Sequence, residues 1–157
     1  MVANVLQTHL QPHGLVARFG GEEFAIMLDD CPAIEAASKI EQARVEIGQL
    51  VMEVDGQSLK IEASAGVATL MEDETVESWL QRTDDALYHS KSQGRNCAHQ
   101  MQGNEPALIE LNPDALFVPN VKRLSIDDSG SDERVSDSTL FSRVKDNAVV
   151  ASLENGS

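Results

Sequence analysis

Apolar residues recur at two different periods along the first hundred residues, and each period indicates a kind of element. Residues 15–19 and 24–28 alternate apolar side chains with others, which is typical of two short strands. Residues 34–50 place apolar side chains at every third or fourth position, as a helix with one buried stripe does (Ile34, Ala37, Ile40, Ala43, Ile47 and Leu50). Residues 2–10 show the same helical spacing over a shorter length. The pattern predicts helix, strand, strand and helix in that order.

The next fifty residues repeat this alternation. Residues 51–54 and 59–70 predict a second hairpin around the turn pair Asp55-Gly56. The strand over residues 61–68 carries small residues on one face, which leaves room for a helix to pack closely. A helix is predicted from about Val76 to Gln93, with Thr75 as its N-cap and Gly94 at its end, followed by a short strand over 96–101. The order of elements predicts an α+β fold.

Composition changes after Gly103. The stretch 125–137 reads SIDDSGSDERVSD, and residues 103–157 contain few aromatic residues. Such sequences bury too little apolar surface to offset the entropy lost on folding. We therefore expect one domain over 1–102 and a mostly disordered, acidic, Ser-rich tail over 103–157.

Charge and cysteine content exclude several classes of protein. The chain of 157 residues has a formal net charge of −14, which argues against nucleic acids and anionic membranes as partners because both favour a basic surface. No apolar run approaches the roughly 20 residues of a membrane span. Cys31 and Cys97 lack metal-ligand spacing and are expected to be reduced thiols. The chain is predicted to be cytoplasmic.

Two carboxylates beside the first hairpin turn are the main candidates for chemistry. Gly20-Gly21 is predicted to form a two-residue type I′ turn, which needs positive φ at both positions. Glu22 and Glu23 follow at once, and like charges held at a hairpin tip repel unless solvent or a cation such as Mg²⁺ relieves them. From spacing alone, a solvated charged tip and a metal site remain equally open.

Two cations near the end of the last predicted helix raise a similar choice. Lys91 lies in the last turn and Arg95 just past the cap. Cations at a helix C-terminus are favoured by the helix dipole alone. The alternative is that both side chains bind nucleotide phosphates.

Two sequence blocks resemble the diguanylate cyclase family. Residues 20–24 match its GG(D/E)EF signature, and residues 82–96 resemble its "RADxALYxAKxxGRN" block. Residues 61–68 resemble the family strand "VTVSIGVA". The resemblance covers roughly residues 1–100 and implies the C-terminal portion of a GGDEF domain. The implied fold is a mostly antiparallel central sheet flanked by helices, similar to nucleotide cyclases and polymerase palms.

The resemblance also implies an activity and a set of site residues. Family members act as homodimers that join two GTP molecules into the bacterial second messenger cyclic di-GMP, with release of pyrophosphate and with Mg²⁺ or Mn²⁺ as cofactor. By this resemblance, the backbone at Gly20 and Gly21 would approach the phosphates. Glu22 and Glu23 would be the catalytic and metal-binding carboxylates, and Lys91 and Arg95 would neutralise the phosphates.

The sequence departs from the family pattern in two places. The family segment "D(I/L)DxFKxxND", with a metal-binding Asp on the first strand, has no match here, so we expect the N-terminal strand and helix to be missing and a sheet edge to be exposed. We then expect this chain alone not to cyclise GTP. The alternative is a degenerate, non-catalytic module that binds GTP or a protein. Gln11 and Gly14 stand where many family members carry the Arg and Asp of a product-inhibition site, so we expect no such inhibition.

Overall fold

The computed structural model describes residues 1–10, 14–54, 57–111 and 149–156, and they form an α+β fold as predicted. The helices are α1 (Val2–Leu10), α2 (Ala33–Gln49) and α3 (Val76–Ser92). The strands are β1 (Gly14–Arg18), β2 (Glu23–Leu28), β3 (Val51–Val54), β4 (Gln57–Lys60), β5 (Glu62–Thr69), β6 (Ala98–Gln102), β7 (Glu105–Leu108) and β8 (Val149–Gly156). None of the described helices is both long enough and apolar enough to cross a bilayer.

A six-stranded sheet forms the centre of the fold, in the order β1-β2-β8-β5-β6-β7. All its neighbouring strands are antiparallel except β5 and β6, which run parallel and are joined through α3. A parallel pair needs such a crossover, because a tight turn cannot return the chain to the same end of the sheet. Strands β3 and β4 form a separate two-stranded hairpin.

Helix α2 buries most of its predicted apolar stripe, but one apolar residue is exposed and two charged residues are buried. Ala37, Ile40, Ala43 and Ile47 are buried as predicted, whereas Ile34 is 80% exposed. Pro32 takes the N-cap position, so Ile34 lies in the first turn on the solvent side. Two charged residues that do not belong to the apolar stripe, Glu41 and Arg44, are buried as well.

Two strands lie within the residues expected to form the acidic tail. Strand β7 pairs with β6 directly after the expected boundary at residue 102, and β8 lies in the middle of the sheet. The rest of that expectation, including the stretch 125–137, falls outside the described residues. The division into a domain over 1–102 and a tail over 103–157 therefore stays a prediction.

The loop before α3 is held by an ion pair between Arg82 and Glu74 that no sequence pattern predicted. Arg82 donates from Nε to Glu74 Oε1 at 2.7 Å and from Nη2 to Thr69 O at 2.6 Å. The Glu74 carboxylate also accepts from the Met71 N–H at 3.0 Å and from the Ser78 hydroxyl at 2.9 Å. These bonds lower the pKa of Glu74 to about 2, with the Arg82 hydrogen bond as the largest cause.

The small residues of β5 admit α3 at very short range, as predicted. A Cβ built on Gly66 would lie 2.3 Å from the backbone N of Leu87 and 2.4 Å from the backbone O of Thr83. Both atoms belong to the helix backbone and cannot move without shifting α3. Glycine at this position therefore sets the distance between the helix and the sheet.

We predict that Gly66→Ala lowers the free energy of unfolding by about 3 kcal/mol, the upper end of the usual cost of overpacking. Gly48→Ala is the matched control, because a Cβ on Gly48 in α2 meets nothing within 4 Å and alanine favours helix by up to about 1 kcal/mol. Urea unfolding of both variants measures the difference. Equal stability of the two variants would show that α3 does not approach β5 this closely.

We also predict that Glu74→Gln lowers the free energy of unfolding by roughly 1–3 kcal/mol, mainly at neutral pH. Since the folded pKa of Glu74 is about 2 and its ordinary value is 4.5, its stabilisation is fully present above pH 4.5 and is lost as pH falls towards 2. The deficit of the variant should therefore shrink over this range in urea titrations. The exposed neighbour variant Glu72→Gln should show no such trend, and a pH-independent deficit would contradict the assignment.

Candidate functional site

The tip of the first hairpin is wider than the two-residue turn that the sequence predicted. Strand β1 ends at Arg18 and β2 begins at Glu23, and the positive-φ glycines of the described chain are Gly94 and Gly103, not Gly20 or Gly21. The type I′ prediction is therefore wrong. The loop closes because the Glu23 carbonyl accepts from both the Phe19 N–H at 2.8 Å and the Gly20 N–H at 3.3 Å.

The two glycines at this tip differ in their surroundings. A Cβ on Gly20 would lie 2.9 Å from Glu23 Oε2, so the Glu23 carboxylate lies against the Gly20 backbone. A Cβ on Gly21 would meet nothing within 4 Å. The Arg18 guanidinium donates to Gly21 O at 2.6 Å and stabilises the wider loop. The tip thus offers an open backbone segment beside a carboxylate.

Asp84 of α3 connects the hairpin tip electrostatically with the end of the helix. Partial burial raises the pKa of Asp84, nearby Glu23 and Asp85 raise it further, and Lys91 lowers it. Asp84 and Lys91 are seven residues apart in α3, which places them on one face two turns apart. Two of the predicted site residues, Glu23 and Lys91, therefore both lie within electrostatic range of Asp84.

Both of the other charged site residues are exposed. Glu22 is exposed in the hairpin loop, and Arg95 is exposed in the turn beyond α3. The sequence predicted no role for Asp84, although its spacing of seven residues from Lys91 was an available signal.

The turn after α3 holds Arg95 in an uncommon backbone conformation. Gly94 has φ 111°, Arg95 has φ 63° and Asn96 has φ 50°. Gly94 follows the Gln93 cap, where the sequence predicted the helix to end. A left-handed backbone costs energy for residues that carry a Cβ and persists only where surrounding contacts fix it. Hydrogen bonds of Asn96 with Arg44 and Ser64 fix the backbone of this turn.

A buried arginine of α2 fixes the turn. Arg44 donates to both carboxylate oxygens of Glu41 at 2.7 Å, and its Nη1 donates to Asn96 Oδ1. The Asn96 N–H donates in turn to Ser64 Oγ in β5 at 3.1 Å. Arg44 therefore ties α2 to the residue directly after Arg95. Sequence periodicity gave no signal of this role, because Arg44 is not one of the apolar residues of the stripe.

The carboxylates at the hairpin tip suit a metal that is shared with a ligand. Across the described ranges, no group of three or more His, Cys, Asp or Glu side chains is arranged to hold a metal ion. Glu22 and Glu23 provide two adjacent carboxylates. Mg²⁺ is commonly held by one or two carboxylates together with waters and substrate phosphates, so this donor set fits such an ion.

We predict that Arg44→Met lowers the free energy of unfolding by about 3 kcal/mol, because it leaves the Glu41 carboxylate buried without its cation. The double variant Glu41→Met/Arg44→Met should recover most of this loss, since an apolar pair can replace a buried ion pair. Lys39→Met, on the more exposed Glu35 pair of the same helix, serves as the control and should stay within about 0.5 kcal/mol of the parent. A double variant no more stable than Arg44→Met would contradict this account.

Comparison with known proteins gives consistent matches. The family profile described as "Diguanylate cyclase, GGDEF domain" matches residues 1–97. Diguanylate cyclase A of Treponema denticola is 33% identical over 106 residues, which are 67% of this chain and 29% of that protein. Diguanylate cyclase DgcP of Pseudomonas aeruginosa is 32% identical over 61% of this chain and 14% of that protein. Response regulator PleD of Caulobacter vibrioides is 32% identical over 58% of this chain and 21% of that protein.

The match includes both sequence blocks that carry the candidate site. The chain spans less than a third of the length of these curated relatives. The family profile nevertheless covers well over half of the chain and contains the hairpin tip, all of α3 and the turn after it. On these grounds the chain belongs to the diguanylate cyclase GGDEF-domain family.

Proposed function

We propose that this chain binds GTP together with Mg²⁺ or Mn²⁺ between the hairpin tip and the C-terminal end of α3. The observation that carries the proposal is the position of Asp84, whose pKa responds both to Glu23 and to Lys91. Glu23 at the hairpin tip and Lys91 near the end of α3 thus both act on one residue of that helix. An acidic protein needs such a local cation to approach a triphosphate.

Each site residue takes a role that suits its surroundings. The open Gly21 backbone would admit a phosphate closely, while Glu22 and Glu23 would hold the divalent ion. Lys91 and Arg95 neutralise the phosphate oxygens, and Arg44 keeps the Arg95 turn in place through Asn96. When bound, the metal ion would supply positive charge against the triphosphate.

The reaction proposed for the complete protein is that of a diguanylate cyclase in bacterial signalling. Two chains of a homodimer each present one GTP, and each 3′-hydroxyl attacks the α-phosphate of the other nucleotide. A new P–O bond forms as the bond to pyrophosphate breaks, so positioning and charge neutralisation dominate catalysis. A cytoplasmic location remains part of this proposal.

For the chain as given, we propose binding without cyclisation. The described residues supply two carboxylates at the tip and no larger ligand group. A non-catalytic module that binds GTP is the second candidate, and the same observation favours it. The two candidates differ in turnover but agree in binding.

We propose further that cyclic di-GMP does not inhibit through the position of Gly14. A Cβ there would lie 2.7 Å from Leu10 Cβ and 2.8 Å from the Leu10 backbone O. An aspartate side chain at this position would collide with α1. Gln11, the partner position, lies outside the described residues.

We predict that the full chain binds GTP in a Mg²⁺-dependent manner and that Lys91→Ala weakens binding roughly 10-fold or more, the usual value of a charge-assisted hydrogen bond. Glu23→Gln should remove most of the Mg²⁺ dependence. Isothermal titration with and without Mg²⁺ measures both effects. Lys39→Ala is the matched control, because that cation pairs with Glu35 on α2.

Two outcomes would contradict parts of this proposal. Equal weakening by Lys39→Ala and Lys91→Ala would show that GTP responds only to the overall charge. Chromatographic detection of cyclic di-GMP after incubation with GTP and Mg²⁺, absent in Glu23→Ala, would show that the chain is catalytic on its own.

A further inference from the structure

Strand β8 comes from the end of the chain but lies in the interior of the sheet. It pairs antiparallel with β2 over six residue positions, from Glu23–Glu154 to Leu28–Val149. On its other side it pairs antiparallel with β5 over eight positions, from Glu62–Gly156 to Thr69–Val149. The backbone of β8 therefore fills the whole space between these two strands.

The two flanking strands belong to the same buried core. Phe24, Ile26 and Leu28 of β2 pack in one cluster with three residues of β5 (Ala63, Ala65 and Val67). Without β8, both strands would present a row of unpaired N–H and C=O groups next to this cluster. Unpaired backbone groups beside a core are costly and invite pairing with another strand.

Each wall strand of this space is joined to its outer neighbours by a local connection. β1 and β2 are joined by a short loop, β5 and β6 by α3, and β6 and β7 by a tight turn. In contrast, residues 109–148 separate β8 from β7. Strand β8 thus pairs with β2 and β5 in the way that a separate peptide pairs with a sheet in β-strand addition, where main-chain hydrogen bonds give the affinity.

We propose that the space between β2 and β5, here called the β2/β5 slot, is a binding site for one extended peptide strand, and that its ligand is the chain's own segment Val149–Gly156. The segment suits the slot in length, since its eight residues match the eight of β5. When the segment occupies the β2/β5 slot, it pairs with β2 from Glu23 onward. It therefore fixes the strand that begins at the candidate site. The proposal does not depend on GTP binding.

Amide hydrogen exchange of the full chain tests the proposal. Ala151→Pro removes a ladder donor in the middle of β8 and fixes φ near −65°, which does not suit an interior strand. We expect exchange in β2 and β5 to become roughly tenfold faster or more. Ala148→Pro, one residue before the strand, is the matched control and should leave both strands protected.

A peptide added in trans tests whether the slot recognises the segment itself. A synthetic peptide of residues 147–157, added to the full-length Ala151→Pro variant, should restore slow exchange in β2 and β5. The same peptide carrying Ala151→Pro should not. Unchanged protection of β2 and β5 in the Ala151→Pro protein, or failure of the unmodified peptide to restore it, would overturn the proposal.

A disulfide test keeps the proposal falsifiable if Ala151→Pro unfolds the protein. Ala25 and Ser152 are direct partners in the register, so Ala25→Cys/Ser152→Cys should oxidise to an intramolecular bond, identified by peptide mapping on a monomer. Ala25→Cys/Leu153→Cys is one position out of register and should oxidise much less. A covalent dimer joining residues 25 and 152 would assign the slot to a second copy of the chain and overturn the intramolecular proposal.

Discussion

The contact between Gly66 and the backbone of α3 is the constraint on which the rest of the structure depends. A helix can lie this close to a strand only where the strand has no Cβ, because the nearest atoms are the Leu87 N and the Thr83 O rather than flexible side chains. This contact fixes the position of α3 over the sheet. The positions of Asp84 and Lys91 follow, since both lie on that helix.

Two buried arginines extend this constraint to both ends of α3. Arg82 binds the Glu74 carboxylate and the Thr69 carbonyl before the helix. Arg44 binds Glu41 within α2 and Asn96 in the turn that follows α3. Each guanidinium has several donors in a fixed plane, so one side chain can join segments distant in sequence. The Arg95 turn, with its left-handed backbone, is held by the second of these networks.

The hairpin tip interacts electrostatically with α3, and β2, the strand that begins at the tip, is paired on both sides within the sheet. Glu23 raises the pKa of Asp84 from across the site, while its carboxylate lies against Gly20. The strand that begins at Glu23 is paired on one side with β1 and on the other with β8. The candidate site thus depends on residues from both ends of the described chain, because β2, which begins at Glu23, pairs with β8 from the C-terminal segment.

The sequence by itself determined the helices, most strands and the family. Helical and alternating periods reflect contacts within one element, so α2, the first hairpin and the Thr75 cap could be predicted from local residues. The resemblance of two sequence blocks to the family, rather than any period, singled out Glu22, Glu23, Lys91 and Arg95 as candidate site residues. Only the tertiary structure decided the contact of Arg44 with Asn96, the position of Asp84 near Glu23 and the insertion of β8. Each of these depends on groups far apart in the chain, whose meeting no local period records.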